Sequence, residues 1–126
     1  MRLALDVWPF ALAVCRLPAG AAWPREPGGA FVAVTRAAGE LSVVCEEGSV
    51  PAGARVEAGW RALRVRGPLA FEVVGVVASI SAPLAEAGVP VFVISTFDTD
   101  YVLVKVADVD RAVAALRSAG HEVAGA

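Results

Sequence analysis

The stretch VFVISTFDTDYVLVKVADVDRAVAALRSAGHEVA, Val91–Ala124, reads as strand, turn, strand, helix and strand. Val91–Ser95 and Tyr101–Val106 are short runs rich in β-branched residues that flank the polar turn TFDTD, the pattern of a hairpin. Asp108 stands where an N-cap belongs. Val109, Ala112, Val113 and Leu116 then recur at i, i+3, i+4 and i+7, which puts them on one face of a helix. Arg117 falls in the last turn of that helix, Gly120 ends it, and His121–Ala124 is long enough for a final short strand.

Upstream, ASISAPLAEAG has the marks of a helix, with Pro83 near its first turn and Gly88 as its stop. Leu69–Val77 reads as a buried strand running into it. The second half therefore spells β-α-β-β-α-β, the split βαβ order of ferredoxin-like folds. Strands are expected in the first half at Phe10–Leu17, Phe31–Arg36, Leu41–Glu46 and Arg61–Arg66, with Ser49 able to cap a short helix. The segment PAGAAWPREPGG holds too much Pro and Gly for more than a turn of helix, so the first half has the same order with stunted helices. A further sign of repetition is that aligning Thr35 with Thr96 pairs Phe31 with Phe92, Val32 with Val93 and Val43 with Val104. The expected fold is α/β (α+β), with two ferredoxin-like βαββαβ halves forming a tandem repeat. Gly67-Pro68 divides them into units 1–67 and 68–126.

Composition narrows the classes of function. Hydrophobic residues make up 57% of the 126, enough for a folded core and more apolar surface than one thin core hides, so a homodimer formed through sheet edges or helix faces is expected. The 13 acids and 11 bases contain no Lys/Arg run and only one lysine, Lys105, which argues against nucleic acid. Asp6, Trp8-Pro9 and Arg16 interrupt the apolar N-terminal stretch, unlike a signal peptide. Residues 69–95 are broken by Glu72, Pro83, Glu86 and Pro90, short of the ~20 clean residues of a membrane span. A soluble cytoplasmic protein without membrane contact is the expectation.

Catalytic groups are scarce. The single histidine, His121, follows Gly120 at a helix end, where an exposed or cap-adjacent place is expected. No Ser, Cys or Lys has a base positioned by spacing, so no enzyme activity and no cofactor are expected. The run Asp98-Thr99-Asp100 is too short for a calcium loop, and no metal site is assigned. Cys15 and Cys45, in apolar strand-like runs without CxxC spacing, read as buried reduced thiols, with a disulfide conceivable if their strands are neighbours. Trp8, Trp23 and Trp60 are scattered singly, as core or rim residues are.

The hairpin turn carries the most chemistry. In a βαββαβ unit the first strand-to-helix loop and the central hairpin turn lie at the same edge of the sheet. In the second half that brings Gly75, Val76 and the helix start near Ser79 next to Thr96-Phe97-Asp98-Thr99-Asp100. Unpaired N–H groups at a helix start attract a carboxylate, and Asp98 or Asp100 attracts an ammonium or guanidinium, a combination suited to an α-amino acid. Gly75 leaves the backbone open to close approach. The plainer alternative is that FDTD is only a well-made turn, since Asp and Thr bond to local backbone N–H groups.

The residues from Trp60 to Val123, with PLAEAG in the helix and STFDTDYVLV in the hairpin, resemble the small tandem ACT-domain proteins; VTRAAGELSVVC resembles their first unit. That family is similar to the ACT repeats of CASTOR-type cytosolic arginine sensors. The resemblance implies a regulatory protein that binds an amino acid or analogue, with Gly75, Val76 and Val77 at the strand-helix junction and Thr96, Asp98, Thr99 and Asp100 in the hairpin forming the pocket. With no output domain expected in the chain, it also implies action through association or an unknown protein partner.

Overall fold

Eight strands, two α-helices and two 3-10 turns account for the regular structure of the computed structural model, which describes residues 1–25 and 29–125. The chain divides into two units: Met1–Pro9 with Arg61–Ala126, and Phe10–Trp60. The division falls at Pro9 and Trp60, not at Gly67-Pro68, because the first residues of the chain pair with the later half. Strands β1 (Ala4–Val7), β6 (Phe92–Ser95), β7 (Asp100–Lys105) and β8 (Glu122–Ala124) belong to the split unit, with helices α1 (Val76–Glu86) and α2 (Val109–Ser118). The inserted unit holds β2 (Leu12–Leu17), β3 (Val32–Arg36) and β4 (Leu41–Glu46). Strand β5 (Arg55–Val65) gives its first residues to the inserted unit and its last to the split one.

In the split unit the strands lie in the order β8-β1-β5-β7-β6. Strand β1 runs antiparallel to β5, Leu5 opposite Val65, and parallel to β8, Leu5 opposite Val123. In a plain βαββαβ unit the last strand lies against the first; here β1 occupies that place. The N-terminal run that reads as a failed signal peptide is thus a sheet strand, with Leu5 and Val7 buried on the core face. They pack with Leu63, Val65, Val102 and Val104 from neighbouring strands and with Ile80, Leu84, Val113 and Leu116 from the helices. Helix α2 presents the apolar stripe expected of it. Asp108 is its N-cap residue but makes no side-chain cap bond; its carboxylate pairs with Arg111 at 2.7 Å instead.

Residues 69–77 differ from the strand expected there. Their first part is a loop in which Phe71, Val73 and Val74 are exposed, and α1 begins at Val76. A short apolar run has the same composition in a strand as in a loop followed by a helix, and here the backbone of β5 already occupies the sheet position.

The inserted unit has the strand order β3-β4-β2-β5, the βαββαβ order with no α-helix among its described residues. A 3-10 turn at Glu47–Ser49 stands where a short helix is expected, and Ser49 ends it rather than starting it. Part of PAGAAWPREPGG, at residues 26–28, lies outside the described residues. The core is Ala13, Cys15, Leu17, Leu41, Val43 and Cys45. Both cysteines are free thiols on the neighbouring strands β2 and β4. Burial pushes both thiols up, Cys45 to about 11, with the proximity of Cys15 adding to the rise at Cys45.

The two hairpins match in geometry, though not in the frame that the sequence suggests. The last pair before the turn is Arg36 with Leu41 in one and Ser95 with Asp100 in the other. Arg36 therefore corresponds to Ser95, two residues away from the Thr35–Thr96 frame. An even shift keeps every side chain on its face, so apolar alternation alone does not reveal it.

Candidate functional site

Strand β5 ends at Val65, and the chain passes through the cis Gly67-Pro68 bond into the loop at residues 69–75. A side chain at Gly67 would start 2.9 Å from the Asp98 carbonyl oxygen, so only glycine lets the loop and the hairpin tip touch. The Leu69 N–H donates to that same Asp98 oxygen at 2.7 Å. Thr99 is buried and its hydroxyl donates to the Val65 carbonyl at 2.6 Å, which fixes the tip to the end of β5. Within the turn the Thr96 N–H donates to the Thr99 carbonyl at 2.9 Å, and the Thr96 hydroxyl also faces the Thr99 backbone. The hydroxyls of Thr96 and Thr99 are thus engaged in holding the turn.

The two aspartates are placed differently. Asp100 is half-buried and its Oδ1 accepts a hydrogen bond from Ser95, its register partner. Asp98 is exposed, and among the described residues no hydrogen bond to its carboxylate is found. Opposite them α1 starts at Gly75, whose φ of 85° lies in the left-handed region that L side chains avoid. Glycine offers no side-chain cap, so the N–H groups of the first turn have no intrahelical acceptor. Ser79 turns inward to the helix, its hydroxyl donating to the Val76 carbonyl, and does not line the space between helix and hairpin.

That space is a cavity of about 430 Å³, lined by Leu69, Ala70, Phe71 and Val73 of the loop, by the start of α1 from Gly75 to Ala78, and by residues 95–100 of the hairpin. All of Gly75, Val76, Val77, Thr96, Asp98, Thr99 and Asp100 are on its wall. Among the described residues no Lys, Arg or His lines it, so its fixed charges there are the two carboxylates, faced by the partial positive charge of a helix start. Sequence reasoning missed Phe71 and Phe97. Their rings meet edge-to-face with centroids 4.9 Å apart, and they are 74% and 78% exposed. The available signal was Phe97 itself, a large apolar residue in an otherwise polar turn.

A family model described as ACT domain matches residues 55–118, from β5 to the end of α2, and so includes the whole cavity wall. The chain belongs to the ACT-domain family. A second family model, described as an N-terminal domain, matches residues 11–53 of the inserted unit. A crystal structure of a protein from Agrobacterium tumefaciens is 37% identical with a TM-score of 0.92, covering 100% of this chain and 95% of that one. The regulatory subunit of aspartate kinase from Thermus thermophilus, 9% identical with a TM-score of 0.62 over 91% of this chain and 95% of its own, shares the ferredoxin-like ACT fold. The human cytosolic arginine sensor for mTORC1 subunit 1 is 48% identical over 46 residues, 36% of this chain. The matched part spans only 14% of that sensor.

Proposed function

We propose that this ACT-domain protein is a non-catalytic, cytoplasmic regulator that binds an amino acid or analogue in the cavity between the start of α1 and the β6–β7 turn. It reports occupancy by a change in association, as a homodimer or with a protein partner. The observation that carries the reading is the meeting of an uncapped helix start and an unengaged carboxylate, Asp98, across one cavity of about 430 Å³, within the range of small-molecule sites. The ligand carboxylate lies on the N–H groups of Val76 and Val77, where Gly75 leaves room, and its ammonium lies on Asp98 or the second oxygen of Asp100. Thr96 and Thr99 hold the turn in place. The names of two relatives, an arginine sensor and a regulatory subunit of aspartate kinase, support a regulatory role.

Thermal unfolding with each amino acid in turn tests this. A ligand present at 100 times its Kd adds about 2.7 kcal/mol to stability, a readily measured rise in Tm. A protein that no amino acid stabilises, yet which still dimerises, is instead a ligand-free dimerisation module. The exposure of Phe71, Val74 and Phe97 favours that second reading.

A further inference from the structure

We infer that the ligand of this cavity is a neutral amino acid with a large apolar side chain, aromatic or branched aliphatic; the inference rests on the amino-acid reading above. Once the carboxylate and ammonium of the ligand are held, the wall left for its side chain has few polar groups to offer. The Ser95 hydroxyl is given to Asp100, the Thr96 hydroxyl to its own turn and the Thr99 hydroxyl to Val65. With these hydroxyls spent as donors, a polar side chain entering the cavity gains few partners for the water that it loses. An anionic one meets two carboxylates and no cation. With the ammonium on Asp98, a second cation has only the one oxygen of Asp100 that Ser95 leaves free.

What remains is apolar: Leu69, Phe71, Val73, Val77 and Phe97. The Phe71–Phe97 pair forms a preset edge-to-face contact, and the rings are left mostly in water. A large apolar side chain laid against them removes that surface from water, a gain that a small or polar side chain does not supply.

Titration calorimetry of the full chain against L-phenylalanine, L-leucine, glycine, L-arginine and L-glutamate, repeated with Phe97→Ala and Phe97→Leu, tests this. The expected result is binding of phenylalanine or leucine about tenfold or more tighter than glycine. Phe97→Ala should remove about tenfold of that preference while Phe97→Leu retains most of it. Both variants alter an exposed ring and should melt near the parent; a lowered melting point for Phe97→Ala moves the comparison to Phe97→Leu against parent, where a lost preference overturns the inference. Tighter binding of arginine or glutamate, or equal binding of glycine, overturns the inference but leaves the amino-acid reading standing. No binding by any amino acid overturns both.

Discussion

Asp98 and Asp100 are two residues apart in one turn yet are engaged differently, one exposed and one hydrogen-bonded to Ser95. Replacing Asp98 with Asn keeps a turn-forming side chain and removes the charge. Calorimetric titration should show amino-acid affinity falling tenfold to a hundredfold, the effect of losing a charged hydrogen bond of about 1.5–3 kcal/mol, with little change in Tm. Asp100→Asn should weaken binding less, because Ser95 already occupies one of its oxygens. Unchanged affinity in both variants would mean that the carboxylates only shape the turn. Thr99 behaves oppositely to Asp98: its hydroxyl is buried on the Val65 carbonyl, so Thr99→Val should lower stability by about 1–3 kcal/mol in urea unfolding. The cysteines supply a pH dependence. Their folded values lie above the unfolded thiol value near 8.5, so the stability that they contribute is complete below about pH 8.5 and declines as pH rises toward the folded Cys45 value of about 11. Urea unfolding between pH 7 and pH 10 should show that decline, and a Cys15→Ala, Cys45→Ala double variant should not.

At the scale of the element, α1 is held by a residue far from it in sequence. Pro83 lies inside the helix and has no N–H to give to the Ser79 carbonyl, one turn earlier. The imidazole of His121 fills that vacancy: its Nε2 is 2.9 Å from the Ser79 oxygen, and its Nδ1 is 3.0 Å from the Leu3 nitrogen. A carbonyl only accepts, so Nε2 carries the hydrogen and Nδ1 accepts the Leu3 N–H. His121 is consequently buried, not exposed at a helix end as its neighbours in sequence imply. It joins α1, whose first turn lines the cavity, to the residue that leads into β1. Replacing His121 with Phe fills the space but strands two backbone groups, and urea unfolding should show a loss of about 2 kcal/mol or more.

For the whole molecule, the exposed apolar residues bear on association. Phe71, Val74 and Phe97 each expose more than 70% of their surface, and β6 is a short edge strand with Val93 partly exposed. Light scattering at tens of micromolar should give twice the 12.9 kDa chain mass, with the proportion of dimer moved by the amino acid that stabilises the protein. A monomer alone, with and without amino acids, would remove association as the reporting step. The family match over residues 55–118 and the near-complete overlap with the Agrobacterium structure bear on the fold and leave the output to this measurement.

Local periodicity was sufficient for the hairpin, the helix from Val109 and strands β2, β3 and β4. Each of these depends on neighbours a few residues away, where alternation, capping residues and glycines act directly. Three features depended on contacts between distant residues. Strand β1 sits between β5 and β8, in parallel pairing with a strand 118 positions on. Phe71 and Phe97 meet because the loop bonds to the hairpin tip through Leu69 and Asp98. His121 is buried because a proline left a carbonyl without its partner. Strand order and buried hydrogen bonding are settled by which distant groups close on one another, and a local pattern satisfies several such arrangements equally well; only the folded chain selects one.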